Sequence, residues 1–233
     1  MRPPARFDPA SLTALDEPVQ RYFAHAIAAG APLHAGVRLT MVGRIKVGAW
    51  LSFTAEQEFA GHEFTWRARA GWGPFKPLHV VDRYRDGAGS MDGRLLNRLS
   101  FLHADDQDTA RAGAARAAAE SIWVPASLLP ERGVTWRAES ANRIVASFDV
   151  PPERPEVHVD IDDEGAVRSV KVMRWGNVGR EDFGYIPFGA TMSAERCFGD
   201  VVLPSQVTVG WWFDTPRYAP FFVATILDAT PLG

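Results

Sequence analysis

The sequence predicts a mainly β protein of the α+β class, with one large curved antiparallel sheet, or half-barrel, wrapped around one or two helices. Along most of the 233 residues, apolar and polar side chains alternate, which is typical of half-buried strands. Two segments follow a helical pattern instead. The connections between strands are short and polar, which favours an antiparallel meander over a parallel α/β sheet. We therefore expect roughly ten to twelve strands and two or three helices.

The first helix is predicted at residues 11–28, where apolar side chains recur at steps of three and four. Ser11 suits the N-cap position, and Pro18 would divide the helix into two pieces. Gly30 and Pro32 end it, and the spacing of apolar residues then changes to two.

Strands are predicted on both sides of a helical middle region. The first set covers residues 37–46, 51–59, 64–70 and 78–85. The second set covers residues 134–138, 143–150, 156–162, 167–175, 190–198, 206–213 and 220–227. Residues 182–189, which mix rings with glycines, suit either a loop over a pocket mouth or a packed crossover.

The helical middle region connects the two strand sets. Residues 91–102 are predicted as a short helix or coil, and the alanine-rich residues 107–123 as a helix, because alanine has the highest helix propensity. Small side chains also let a sheet approach closely. Pro125 and Pro130 bracket a final turn. We expect a single domain at 1–233, made of a helical segment (1–32), a first strand set (33–90), this helical seam (91–130) and a second strand set (131–233).

Composition excludes several classes of function. The formal charge is −3 with both signs interspersed, so there is no basic run for nucleic acid. The usual nucleotide, zinc and nucleophile motifs are absent, so no cofactor and no metal are expected. Cys197 is the only cysteine and is expected to be buried. No apolar run is long enough for membrane insertion, and no leader is visible, which together predict a cytoplasmic protein.

Three charged residues fall on apolar faces, where a charge is costly unless it is paired or used. Asp82 shares its strand face with Tyr84, and Arg174 shares its face with valines, so the two side chains are expected to form a buried salt bridge or the polar end of an apolar pocket. Glu120 lies four residues after Arg116 on the helix. It either forms an exposed ion pair with Arg116 or points inward as a carboxylate.

Large rings are the other unusual feature, with eight tryptophans in the chain. The adjacent Trp211 and Trp212 must point to opposite faces of a strand, so at least one face carries an indole. The aromatic side chains predicted to contact a ligand are Trp66, Tyr84, Trp123, Trp175, Tyr185, Trp211 and Trp212.

The chain resembles an uncharacterised bacterial protein family, a domain of unknown function. The resemblance rests on a Glu-x-x-Trp-x-Pro-x-x-Leu-Leu segment at residues 120–129 that is followed by Trp136. Further matches are the run 18–23, Phe64-x-Trp66, Asp82-x-Tyr84, Asp163-Glu164-Gly165 and Arg174. The layout also resembles the half-barrels of the LolA and LppX lipoprotein carriers. That likeness implies a sheet that wraps a helix and encloses an apolar cavity.

Three hypotheses of function follow. The first is a binding protein that holds an apolar or aromatic small molecule in a β-cup cavity, with Asp82, Glu120 and Arg174 orienting it. The alternative is a cofactor-independent enzyme, a cyclase, isomerase or hydrolase, that acts on a hydrophobic polyketide-like or terpenoid substrate. In it, Glu120 or Asp82 would be the acid or base and Arg174 would stabilise developing negative charge. The third is a partner-binding protein whose exposed rings form a homodimer face.

Overall fold

The computed structural model describes residues 5–232, in which thirteen strands form one antiparallel sheet. The strands are β1 (Gly36–Val47), β2 (Ala49–Ala60), β3 (Glu63–Trp72), β4 (Phe75–Arg85), β5 (Ala88–Leu95), β6 (Leu99–Ala104), β7 (Thr135–Ser140), β8 (Arg143–Ser147), β9 (Glu156–Ile161), β10 (Val167–Gly176), β11 (Gly184–Phe198), β12 (Val201–Trp211) and β13 (Ala219–Pro231). The α-helices are α1 (Glu17–Ala26) and α2 (Gln107–Glu120). Each predicted strand segment overlaps an observed strand, so the mainly β class is confirmed, with thirteen strands instead of the ten to twelve expected.

The two halves of the chain form two meanders that meet through the first and last strands. The strand order is β6-β5-β4-β3-β2-β1-β13-β12-β11-β10-β9-β8-β7. β1 pairs with β13 from Val37 opposite Pro231 to Ile45 opposite Phe222. The edge strands are therefore β6 and β7, which are the strands that flank α2 in sequence. The chain crosses from one edge of the sheet to the other through α2.

α2 contacts both halves of the sheet. The helix contacts β4 and β5 in one half of the sheet and β9 and β10 in the other. β5 and β10 are eight positions apart in the strand order. Eight steps would span roughly 38 Å in a flat sheet, whereas an α-helix is only about 10 Å across. One helix can reach both halves only because the sheet bends toward it.

Small residues allow α2 to lie close to the sheet, as the alanine-rich sequence predicts. Ala114 and Ala117 are fully buried. A Cβ atom added to Gly89 on β5 would lie 2.5 Å from the carbonyl oxygen of Thr109, inside van der Waals contact. Gly113 on α2 lies against the ring of Tyr84, where an added Cβ would be 3.0 Å from the ring. A helix with larger side chains on this face would not fit at the same distance.

The N-terminal helical region differs from the predicted helix at residues 11–28. A short 3-10 helix, Pro9–Leu12, is capped by Asp8 rather than by Ser11, and α1 begins only at Glu17. Pro18 therefore lies in the first turn of α1, where its missing N–H has no helical partner to lose. Instead of dividing a long helix, the proline marks the start of a shorter one.

Two segments predicted to be irregular or helical are strands. Residues 88–95 and 99–104 form β5 and β6, and residues 184–189 are the first part of β11 rather than a loop. Strand β5 is held by pairing with β4, from Leu78 opposite Leu95 to Arg85 opposite Ala88. Tertiary pairing thus outweighs the weak strand propensity of these segments.

The seam after α2 continues as three 3-10 turns, Ser121–Trp123, Pro125–Leu128 and Pro130–Arg132. Pro125 and Pro130 each open a turn, as their fixed φ favours. The indole N–H of Trp136 on β7 donates to the carbonyl oxygen of Leu128 at 2.8 Å and joins the seam to the edge strand.

Two further observations concern single features. Cys197 is exposed on β11, so the expectation that it is buried is wrong. Within residues 5–232, no helix is both long enough and apolar enough to cross a membrane.

Candidate functional site

A small cavity lies between α2 and the central strands of the sheet. Its volume is about 50 Å³, and its walls come from α2, Trp123 and the inner faces of β1, β2 and β10 to β13. The apolar residues that line it include Met41, Trp123, Val170, Phe188, Met192 and Phe222. The polar residues that line it are Gln57, Arg116 and Glu120. The charged side chains at the cavity thus come from the helix, and the sheet contributes apolar side chains together with the amide of Gln57.

The charged group of the site consists of Asp82, Arg116, Glu120 and Arg174. Arg116 on α2 binds both of its carboxylates. Its Nη1 lies 2.6 Å from Oδ2 of Asp82, and its Nε lies 2.7 Å from Oε1 of Glu120. The guanidinium also lies over the ring of Phe64, 4.3 Å from the ring centroid. Burial acts to lower the pKa of Arg116, but the negative charges of Glu120 and Asp82 raise it on balance. Arg116 therefore carries its charge and binds both carboxylates.

Asp82 points inward from β4, as its place on the apolar face predicts. Its residue exposure is 7%, and burial raises the pKa of its carboxyl above the ordinary value. The positive charges of Arg116 and Arg174 act in the opposite direction. The predicted salt bridge between Asp82 and Arg174 is absent from the described chain, because Arg116 occupies the position beside the carboxylate.

Glu120 combines the two orientations that the sequence left open. It forms the ion pair with Arg116 one turn earlier and also faces the cavity, where its Oε2 accepts a hydrogen bond from Nε2 of Gln57 at 2.6 Å. Gln57 lies on the inner face of β2 and is 2% exposed. Gln57 is not among the site residues predicted from the sequence, although a glutamine between Ala55 and Phe59 on an apolar strand face is the same kind of signal as Asp82.

Arg174 reaches α2 from the opposite half of the sheet. Its Nε donates to the carbonyl oxygen of Ala112 at 3.0 Å. Its guanidinium lies 4.6 Å from the ring centroid of Phe188 and 5.1 Å from that of Trp211. Burial, together with the positive charge of Arg116, lowers its pKa to about 10. Among residues 5–232 no carboxylate lies within ion-pair distance of it.

Four of the predicted aromatic residues lie on the inner face of the sheet or at the cavity. Trp123 lines the cavity. Trp66 lies 6.2 Å from the lining residue Phe222, and Trp211 lies 5.1 Å from Phe188, both between ring centroids. Tyr84 is fully buried, but its hydroxyl donates to a carbonyl oxygen of the loop after β8, away from the cavity.

The other three lie outside this cavity. The indole N–H of Trp175 donates to Asp108 at 2.6 Å, and the guanidinium of Arg111 stacks on its ring at 3.4 Å. Tyr185 is exposed beside the same arginine, which donates to its hydroxyl at 2.9 Å. Trp212 follows β12 in a left-handed conformation and its indole N–H donates to Val178. The number of rings in a sequence does not say which way each ring points.

The charges of the group balance, with two carboxylates and two guanidinium groups. Both carboxylates are engaged by Arg116, and Glu120 is also engaged by Gln57. General acid–base catalysis needs a carboxyl that can reach a substrate proton. The observed pairing weighs against the acid–base enzyme hypothesis.

Similar folds occur among solved structures. One is a domain from Vibrio parahaemolyticus described as an outer membrane lipoprotein-sorting protein domain, with 8% identity and a TM-score of 0.47, covering 84% of this chain and 85% of that one. Another is a LolA superfamily protein from Nitrosomonas europaea, with 6% identity and a TM-score of 0.47, covering 93% and 92%. A comparison with curated proteins found no match.

A family model with the description "Family of unknown function (DUF6920)" matches residues 13–230. The matched residues include both α-helices, the charged group on α2 and nearly the whole sheet. This agrees with the family resemblance found in the sequence, which runs from the first helix to the late strands. The chain belongs to the DUF6920 family of unknown function.

Proposed function

We propose that the protein binds an apolar small molecule between α2 and the central strands of the sheet. The observation that carries the proposal is the cavity itself, which joins an apolar wall on β10 to β13 to a charged group on α2. Ligand sites in proteins commonly combine an apolar lining with a few convergent polar groups.

The cavity is too small for a ligand of ordinary size, so binding requires a change of conformation. A volume of about 50 Å³ holds only a few water molecules. Sites for molecules of drug size are roughly 300–1,000 Å³. The bound form therefore requires α2 to move away from the central strands, so that the ligand replaces the contact between the helix and the sheet.

The composition of α2 makes such a separation inexpensive. Its buried face consists mainly of alanines and one glycine, each of which removes little apolar surface from water. Leucines at the same positions would bind the helix to the sheet more strongly. The main specific contacts to be broken are polar ones, such as the hydrogen bond from Arg174 to Ala112.

The charged group gives the bound molecule a direction. Gln57, Arg116 and Glu120 line the cavity, with Arg116 and Glu120 projecting from α2 and Gln57 from β2. Within residues 5–232, Nη2 of Arg116 and Oε1 of Gln57 form no hydrogen bond, which leaves a donor and an acceptor for a ligand. The best ligand is thus an apolar body with one polar group.

Binding of N-phenyl-1-naphthylamine, a fluorescent apolar amine, tests the proposal. Ala119→Met places a larger side chain at the cavity wall. We expect it to raise the Kd of the probe about tenfold or more, equal to about 1.4 kcal/mol.

The matched control is Ala112→Met on the same helix. Ala112 is partly exposed and does not line the cavity. The control should bind the probe within about twofold of the unmodified protein, well below the tenfold that marks a lost contact. Equal effects of the two substitutions, or no binding by the unmodified protein, would contradict the proposal.

A further inference from the structure

The most exposed apolar side chains of the described chain lie on the tips of three neighbouring hairpins. These hairpin tips are residues 44–50, where β1 leads into β2, residues 71–77, where β3 leads into β4, and residues 94–101, where β5 leads into β6, and each includes the adjoining strand ends. They carry the six large apolar side chains that are between 50% and 66% exposed: Val47, Trp72, Phe75, Leu96, Leu99 and Phe101. Every other exposed large apolar side chain within residues 5–232 is below that range.

The three hairpin tips lie at the same end of the sheet. They join consecutive strand pairs in an uninterrupted run of six strands, β6 to β1. The register brings them to a similar level, since Ser52 pairs with Gly71 and Leu78 pairs with Leu95. The three turns therefore form one continuous surface at this end of the sheet, which extends over about five strand spacings, or roughly 24 Å.

The same hairpin tips are basic. They contain Arg44, Lys46, Lys76, Arg94 and Arg98, and they contain no aspartate or glutamate. The whole chain carries a formal charge of −3, so the positive charge of the hairpin tips is opposite in sign to the net charge of the chain. Among residues 5–232, none of the five basic side chains forms an ion pair with a carboxylate. Their charges are therefore available to an external partner.

We propose that the three hairpin tips dock the protein peripherally on an anionic phospholipid surface. Tryptophan, phenylalanine and leucine that project beside lysine and arginine match the two requirements of a membrane interface, which are apolar groups at the acyl boundary and positive charges among the headgroups. The proposal needs no spanning helix, because only side chains at the turns enter the interface.

A protein partner fits these observations less well. Charged residues are depleted at the core of protein–protein interfaces, whereas each of the hairpin tips mixes exposed apolar and basic side chains. The apolar side chains also sit on three protruding turns rather than on a flat face. The sequence has no basic run that would indicate this surface, because the fold brings together three segments that are about 20 residues apart.

Co-sedimentation of the full chain with lipid vesicles tests the proposal. We expect binding to vesicles of equal parts phosphatidylcholine and phosphatidylglycerol, weak binding to phosphatidylcholine alone, and a decrease with added salt. Lys46→Glu combined with Arg98→Glu should lower the partition coefficient more than about tenfold, since each basic residue contributes about fivefold. Trp72→Ser combined with Leu99→Ser should lower it by a similar factor.

Matched controls use exposed residues elsewhere. Arg83→Glu with Arg132→Glu alters charge away from the hairpin tips, and Val223→Ser with Leu227→Ser alters exposed apolar residues on β13. These proteins should bind vesicles within about twofold of the unmodified chain. Equal losses in the controls, or no binding to anionic vesicles at low salt, would overturn the proposal. So would self-association without vesicles that Trp72→Ser abolishes, since the occupant would then be a second copy.

Discussion

Nη1 of Arg116 lies 2.6 Å from Oδ2 of Asp82, and this buried ion pair joins α2 to β4. On the other side of the helix, Nε of Arg174 donates to the carbonyl oxygen of Ala112 and joins α2 to β10. Two arginines therefore hold one small-residue helix to the two halves of the sheet. One arginine projects from the helix and the other from the sheet, and each packs over aromatic rings.

Removing the helix-borne arginine should be strongly destabilising. Arg116→Met leaves Asp82 and Glu120 buried or half-buried without their cation, and breaking a buried pair on one side costs about 3–5 kcal/mol. We expect a loss of about that size in the free energy of unfolding, measured with urea. The circular dichroism of the variant in the absence of urea reports whether it still folds.

A second substitution separates the cost of an orphaned charge from a loss of packing. Adding Asp82→Leu to Arg116→Met removes the buried carboxylate that lost its partner. The double variant should recover part of the stability, because an apolar pair of similar volume often replaces a buried ion pair without penalty. If the double variant were less stable than Arg116→Met alone, the carboxylate would not be the cause of the loss.

The titration of Asp82 predicts a dependence on pH. Burial raises its pKa above the ordinary 3.8, so the folded chain takes up this proton more readily than the unfolded chain. The stability that it contributes is full below the ordinary value and is lost as the pH rises through the folded value. Between about pH 7 and about pH 4, the unmodified protein should therefore gain free energy of unfolding relative to Asp82→Asn.

Urea unfolding of both proteins at each pH measures this difference. Carboxyls with lowered pKa values, such as Asp160 and Asp162, destabilise both proteins in acid and cancel in the comparison. A stability difference that stays constant with pH, or that moves in favour of Asp82→Asn in acid, would show that folding does not raise the pKa of Asp82.

Strands β1 to β4 and β7 to β13, apart from the start of β11, follow from the alternation of apolar and polar side chains in the sequence. β5 and β6 do not, because Gly89 and Gly93 weaken the strand pattern and Leu95, Leu96 and Leu99 suggest a helix. β5 pairs with β4 and β6 pairs with β5, and this strand pairing outweighs the weak local pattern. The joining of the first and last strands, β1 and β13, is likewise decided by the closure of the whole sheet rather than by any local pattern.

For the candidate site, the sequence predicts which charged side chains point inward, but it does not predict which side chain each of them pairs with. A charged residue on an apolar strand face is predicted to point inward, and both Asp82 and Arg174 do so. Its partner depends on the rotation of α2, which the sequence does not fix, because alanines surround Arg116 on most sides. The sequence likewise predicts Trp175 and Tyr185 as cavity walls, although both lie beside Arg111 and outside the cavity.

The last prediction concerns Arg174, a half-buried cation that lies over rings and, within residues 5–232, has no carboxylate beside it. Burial lowers its pKa from the ordinary arginine value to about 10, so the fold disfavours the charged form. At neutral pH, below both values, the residue is charged and its full cost is present. Arg174→Met removes this cost together with one hydrogen bond. We expect a net gain of about 1 kcal/mol in the free energy of unfolding.

Arg174→Lys separates charge from shape. Lysine keeps the positive charge but lacks the planar group that stacks on Phe188 and the Nε that donates to Ala112. The lysine variant should therefore be less stable than the unmodified protein, while the methionine variant is more stable. A residue that costs stability in the free protein is expected where a site is kept for a ligand. If Arg174→Met instead lowers the melting temperature, Arg174 serves to hold α2 in place through its hydrogen bond to Ala112.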